Sequence, residues 1–199
     1  GIVMVLCGDT PLLTQQTLIK LRKAHQDSRA AATVLTAIMP NPSGYGRVIH
    51  DQSGQVAKIV EQKDASQQEL AVQEINTGIY CFEQQSLFEA LSEITCENAQ
   101  GEYYLTDCIA ILRAKGKPVA AVATDNFEET LGINSRVQLA QAEKILRRNK
   151  LNELMDNGVT IMDPDNTYID ASVQIAADTV VYPFTWLEGN TVIGTNCEI

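Results

Sequence analysis

The sequence predicts an α/β domain joined through one long helix to the start of a parallel β-helix, and three patterns lead there. Strand-like and helix-like segments alternate from Ile2 to about Thr130. A single amphipathic helix is predicted over Asn134 to Met155. Beyond it, apolar residues recur at Ile169, Ile175, Val181, Leu187, Ile193 and Ile199, six positions apart. A strand alternates every two residues and a helix repeats near 3.6, so neither gives this period. A small or short side chain follows four places after each of the first five, at Val173, Thr179, Thr185, Thr191 and Cys197. A chain that turns a corner after each short strand sends one side chain per hexad into a narrow core, as hexapeptide solenoids do. Accidental spacing in a β-rich tail is the competing reading, and two registers side by side speak against it.

A coil of such a solenoid takes three hexads, and the run stops at Ile199 in mid-pattern. Gly1 is not an initiator, and Ile2 to Cys7 reads as a fully buried strand. Repeats of this kind need stacked neighbours to bury their apolar face. The chain is therefore expected to be the middle of a longer protein.

The elements follow in order. Thr14 is placed to cap a helix carrying Leu18, Leu21 and Arg22. Ala32 to Ile38 is β-prone, and Pro40, Pro42, Ser43, Gly44 and Gly46 make a loop. Arg47 to His50 and Val56 to Val60 flank Asp51-Gln52-Ser53-Gly54 and read as a hairpin. Ile75 to Phe82 is a strand, Ser86 to Leu91 and Leu105 to Lys115 are helical, and Pro118 to Ala123 is a strand. Alternation of this kind predicts a largely parallel sheet with some antiparallel additions. The long helix has Val137, Leu139, Ala140, Ile145, Leu146, Leu151 and Leu154 as its apolar side, and Arg147, Arg148 and Lys150 as its basic side. That basic cluster reads as a solvated face before it reads as an anion site. Asn157-Gly158 ends the helix. The predicted units are 1–133, 134–158 and 159–199.

Composition narrows the function classes. The formal net charge is −10, without the basic stripe that nucleic-acid binding needs. No apolar run is long enough to span a bilayer as a helix. Five cysteines without C-x-x-C spacing read as reduced thiols of a cytosolic protein. With His25 and His50 as the only histidines, a zinc site is not expected.

Ligands of α/β sheets bind beyond the carboxyl ends of strands. The first such end is Cys7-Gly8-Asp9-Thr10-Pro11, where Asp9 offers a hard oxygen suited to Mg²⁺ held with substrate phosphates. Taken alone, Asp9 reads equally as a turn residue accepting backbone hydrogen bonds. Ser43-Gly44-Tyr45-Gly46-Arg47 is either a ligand-facing turn or a plain loop. Glu61 ends an apolar strand, as an acceptor for sugar hydroxyls or as an exposed charge. Asn76-Thr77-Gly78 interrupts a strand, which suits a ligand contact or a β-bulge. The simplest role for Asn134 is the N-cap of the long helix.

The segments LCGDTPLL, GYGRVI, IVEQKDA, EINTGIY, GEYYLTD and LGINSR, followed by the hexads, together resemble the bacterial bifunctional UDP-N-acetylglucosamine pyrophosphorylase/glucosamine-1-phosphate N-acetyltransferases. The resemblance implies a Rossmann-like nucleotidyltransferase domain, a linker helix and the start of a left-handed β-helix acetyltransferase domain. It implies transfer of uridylyl from UTP to N-acetylglucosamine-1-phosphate with Mg²⁺, giving UDP-N-acetylglucosamine, a precursor of peptidoglycan and lipopolysaccharide. Asp9 and Asn134 match the metal-site residues. Gly46, Glu61 and Asn76 match positions that hold the sugar and its ribosyl neighbour. Cys7 and Gly8 match backbone that lines the nucleotide pocket, and Tyr104 and Thr106 are further sugar-side candidates. The family's Gly-rich loop with its Arg and Lys falls upstream of Gly1, and its acetyl-CoA site falls beyond Ile199. The chain is accordingly expected to be inactive alone, and its parent to be a cytoplasmic homotrimer. A glucose-1-phosphate nucleotidyltransferase with a β-helix tail, and a noncatalytic scaffold of the same fold, are the alternatives.

Overall fold

A computed structural model describes residues 1–199, which form two compact units, Gly1–Leu131 and Gly132–Ile199. In the first unit, strands β1 (Ile2–Val5), β2 (Ala32–Ile38), β3 (Arg47–His50), β4 (Val56–Val60), β5 (Glu74–Glu83) and β6 (Val119–Ala123) build one six-stranded sheet. Helices α1 (Gln15–Ser28), α2 (Gln67–Leu70), α3 (Gln84–Leu91) and α4 (Asp107–Ala114) connect them. The ten-residue β5 is the axis. It pairs with β2 along one edge, and with β3 and β1 in succession along the other.

Two expectations about this sheet are corrected. Only β2 and β6 run parallel; β1–β5, β2–β5, β3–β4 and β3–β5 are antiparallel. The alternation of strands and helices does not dictate direction, because β3–β4 is a hairpin and β5 returns antiparallel between neighbours. The first strand also ends at Val5 and is not fully buried, with Ile2 44% and Leu6 48% exposed. It hydrogen-bonds to β5 alone and lies at an edge. One face of the sheet packs Val34, Val48, Ile59, Tyr80 and Phe82 against Leu87, Ile109 and Leu112 of α3 and α4. The other packs Leu35, Ile79 and Cys81 against Leu21 of α1.

In the second unit, α5 spans Arg136–Asp156 and its N-cap is Ser135, not Asn134. Ser135 accepts from the Gln138 N–H, and the Gln138 side chain accepts from the Asn134 N–H, so Asn134 lies outside the cap. The expected apolar side is also corrected: Val137, Leu139 and Leu146 are exposed. At roughly 100° per residue Leu139 and Leu146 share one side of the helix, turned more than 90° away from Leu151. Leu151 and Leu154 do pack, against Val159, Ile161, Ile169 and Val181. The basic side is not wholly solvated, since the Arg147 guanidinium lies 4.1 Å above the Tyr168 ring.

Six two-residue strands follow: β7 (Thr160–Ile161), β8 (Tyr168–Ile169), β9 (Gln174–Ile175), β10 (Val180–Val181), β11 (Trp186–Leu187) and β12 (Val192–Ile193). They pair in parallel as β7–β10, β8–β11 and β9–β12. Tyr168 faces Trp186 and Gln174 faces Val192, each pair three hexads apart. Ile169, Ile175 and Val181 are buried, as are Val173 and Thr179 of the second register. Asp178, Phe184 and Asn196 take left-handed backbone at φ 63°, 64° and 55°. Asp and Asn tolerate that region, whereas a bulky residue there costs roughly 1–2 kcal/mol. Phe184 is 80% exposed, so packing does not offset its strain. Replacing Phe184 by Asn is expected to raise the thermal unfolding midpoint by about 2–4 °C, read by circular dichroism. An unchanged or lower midpoint would show that the corner is not strained.

Candidate active site

The site begins with a break in the ladder between β2 and β5. Thr36 pairs with Asn76 and Val34 with Tyr80, so Thr77, Gly78 and Ile79 stand opposite Leu35 alone. The Thr77 hydroxyl donates to the Leu35 carbonyl at 2.7 Å, satisfying an acceptor that the ladder has lost. Gly78 has φ +76°, and a Cβ there would lie 2.6 Å from the Cys7 sulfur. Both the conformation and the space therefore require glycine. Cys7, just past β1, packs its thiol on this break and donates to the Gly78 carbonyl at 3.5 Å. Of the two roles open for Asn76-Thr77-Gly78 in the sequence, the structure displays the bulge.

The break orients Asn76. Its Oδ1 accepts from the Gly78 N–H at 3.1 Å and from the Tyr80 hydroxyl at 2.8 Å. The amide NH₂ is thereby turned outward, with no hydrogen-bond acceptor in the chain, and is available as a double donor. Its backbone N–H donates to the Gly46 carbonyl at 2.9 Å. Gly46 is buried, and a Cβ on it would lie 3.3 and 3.4 Å from the two Glu61 oxygens. A larger residue would thus crowd the Glu61 carboxylate. Buried Arg47 donates to the Tyr45 carbonyl and ties down the loop before Gly46.

Glu61 is half-buried just after β4, and Thr106 donates its hydroxyl to Oε1 at 3.4 Å. Burial pushes the Glu61 pKa up; the Thr106 hydroxyl opposes this, while Asp64 and Asp107 add to it. Thr106 stands at the N-cap position of α4 but spends no side-chain bond on the cap, which leaves its hydroxyl for Glu61. Tyr104 is half-buried and its hydroxyl accepts from Gln100 at 2.7 Å. Glu61, Asp64, Tyr104, Thr106 and Asp107 line a cleft of about 280 Å³. Tyr80 links the two halves of the site. Burial drives its pKa well above the phenol range, and Glu61 and Cys7 add to that shift.

Gly8 and Asp9 are exposed in a tight turn, and the Thr10 hydroxyl closes that turn onto the Cys7 carbonyl at 3.0 Å. Burial, then the Asp9 charge, raises the Cys7 pKa. The first unit therefore holds Cys7, Gly8 and Asp9 in one stretch beside the bulge, and gathers Gly46, Glu61, Asn76 and Thr106 with Tyr80. Asn134 belongs to the second unit, where its side chain is exposed and makes no hydrogen bond. Tyr80 and Asp107 were not singled out in the sequence. The signal for Tyr80 was its spacing from Asn76, four positions along one strand.

Residues 1–176 match the nucleotidyl transferase family, and the chain belongs to that family. Among curated proteins it is similar to the bifunctional protein GlmU. It is 55% identical to that of Geobacillus sp. (strain WCH70) over all 199 residues of this chain and 43% of the relative. For Shouchella clausii (strain KSM-K16) the identity is 56%, over all of this chain and 44% of the relative. For Latilactobacillus sakei (strain 23K) it is 54%, over 43% of the relative. The chain thus spans less than half the length of these relatives. A crystal structure provisionally assigned as a glucose-1-phosphate thymidylyltransferase from Bacillus anthracis, in complex with a sucrose, shares the fold. Its TM-score is 0.52 at 18% identity, over 72% of this chain and 54% of that one.

The raised pKa of Glu61 fixes the sign of a pH effect. Between its ordinary value of 4.5 and the folded value, the folded chain binds more protons than the unfolded one. Stability is lost as pH rises through that window and stays lost above it. Glu61→Gln is therefore expected to unfold at a higher temperature than the wild type at pH 7, and at the same temperature below about pH 4. Equal midpoints at pH 7 would show that burial does not penalise this carboxylate.

Proposed function

We propose that this chain carries the nucleotidyl-transfer site of an enzyme that joins UTP and N-acetylglucosamine-1-phosphate into UDP-N-acetylglucosamine and pyrophosphate. Family membership supports the reaction class, and the motif resemblance supports the substrates. The observation that carries the sugar assignment is the pairing of an outward amide donor, Asn76, with a half-buried acceptor, Glu61, around Gly46. A sugar hydroxyl is both donor and acceptor, and an acetamido group presents one N–H and one carbonyl, so such a pair complements either. Thr106 and Tyr104 extend the same wall. Cys7 and Gly8 present backbone to the nucleotide.

In this reading a phosphate oxygen of the sugar phosphate attacks the α-phosphorus of UTP. The new P–O bond forms as the bond to the β-phosphate bridge breaks, and pyrophosphate leaves with that electron pair. No protein nucleophile takes part, so the residues act by alignment and by placing charge. Asp9 would hold Mg²⁺. Its side chain is exposed and offers hard oxygens without hydrogen bonds of its own, as befits an ion bound by one or two protein oxygens, waters and phosphates. When bound, the ion supplies positive charge against the triphosphate. Asp9 without it would repel the nucleotide.

The parallel strand pairs of the second unit are read as the start of a left-handed parallel β-helix. Its further coils would serve acetyl-CoA-dependent acetylation of glucosamine-1-phosphate and homotrimer assembly in the bacterial cytoplasm. No helix of the chain is long and apolar enough to cross a membrane.

The reading is tested on the intact protein with UTP, Mg²⁺ and a panel of sugar phosphates. N-acetylglucosamine-1-phosphate is expected to react with at least tenfold higher kcat/KM than glucose-1-phosphate. Asp9→Ala is expected to lower turnover at least a hundredfold at fixed Mg²⁺. Equal use of glucose-1-phosphate would overturn the sugar assignment, and unchanged turnover in Asp9→Ala would overturn the role of Asp9.

A further inference from the structure

The N-terminus of α1 lacks an acidic residue in its own first turn. Glu129, remote in sequence, supplies one. Its Oε2 accepts from the Thr17 hydroxyl at 2.5 Å and lies 3.2 Å from the Thr14 hydroxyl. Thr14 is the N-cap and itself accepts from the Thr17 N–H. A carboxylate here is favoured twice, by charge-assisted hydrogen bonds and by the positive end of the helix dipole. The cap does not need it, because Thr14 already makes the capping bond.

The place of this clamp in the chain gives it meaning. Thr14 lies five positions after Asp9, and Glu129 lies five positions before Asn134. Between Asp9 and Thr14 the chain is held short, with Thr10 turned onto Cys7 and the Leu13 N–H on the Thr10 carbonyl. Glu129 sits in a 3₁₀ turn over Phe127–Thr130, and Leu131 beyond it packs on Ala37, Met39 and Ile75. Leu131 anchors its arm to the sheet, whereas Glu129 joins it to the arm that carries Asp9. The neighbouring pair Lys20–Asp125, 2.8 Å, is exposed on both sides and holds little.

We propose that Glu129, through Thr14 and Thr17, is a positioning residue for Asp9. It fixes the point from which the Asp9 arm springs, and so sets how well that carboxylate holds a divalent cation with the nucleotide sugar. This rests on the metal assignment made under Proposed function.

The test measures binding of UDP-N-acetylglucosamine to the intact protein by titration calorimetry, across a series of Mn²⁺ concentrations and in EDTA. Glu129→Gln and Thr17→Val are each expected to raise the Mn²⁺ concentration for half-maximal binding about tenfold, the scale seen when a partner that orients a metal ligand is lost. The double variant is expected to be no worse than either single one, and affinity in EDTA to stay within twofold. A midpoint within twofold of wild type, while Asp9→Ala shifts or abolishes the Mn²⁺ dependence, would overturn this inference alone. Weakened binding in EDTA by the same factor would also overturn it, by showing a general structural role. An Asp9→Ala protein with wild-type Mn²⁺ dependence would overturn the metal assignment beneath it.

Discussion

The three-residue break in β5 opposite Leu35 is the constraint on which the first unit's site depends. Two extra residues, instead of one, preserve the alternation of the strand. Asn76 and Tyr80 therefore remain on one face, and the core pattern of Ile75, Ile79 and Cys81 continues on the other. The lost ladder bond is replaced by the Thr77 hydroxyl, so the irregularity leaves no orphan carbonyl at Leu35. The break also gives the Cys7 sulfur its place over Gly78 and thereby sets where the turn bearing Asp9 begins. One local insertion thus fixes a donor, orients it through Tyr80, and seats the first strand's exit beside it.

Charge is handled differently in the two halves of the site. In the cleft, burial raises the pKa of Glu61, and Asp64 and Asp107 add to that shift. A carboxylate so placed recognises hydroxyl donors well and an anion poorly. Asp9, by contrast, stands exposed in its turn. The same sequence thus keeps one carboxylate half-buried in a cleft and another in water.

Much of this was legible because it is local. Thr14 caps α1 as its position indicates. The β3–β4 hairpin follows from Asp51, whose Oδ1 accepts from the Ser53 and Gln55 N–H groups, and from Gly54 at φ +79°. The six-residue period shows itself in the buried Ile169, Ile175 and Val181. What was not legible is what distant partners decide. Strand direction depends on which edge of β5 each strand finds, and no residue of β1 or β2 encodes that alone. Asn134 and Ser135 are both good caps one position apart, and it is the Ser135 side chain that accepts from the Gln138 N–H. Glu129 was not singled out in the sequence, because the two hydroxyls that bind it, Thr14 and Thr17, lie more than a hundred positions earlier. The candidate residues Gly46, Glu61, Asn76 and Thr106 were named from the motif resemblance, but the Tyr80 hydroxyl that orients Asn76 and the Thr106 hydroxyl that reaches Glu61 required the fold.

The account is tested most directly by a crystal structure of the intact protein grown with UDP-N-acetylglucosamine and Mn²⁺, with data collected at the manganese edge. It predicts one strong anomalous peak within coordination distance of an Asp9 carboxylate oxygen, with the amino sugar seated on Gly46, Glu61 and Asn76. A peak held by Asp64 and Asp107 in the neighbouring acidic cleft, or a sugar away from Asn76, would contradict it.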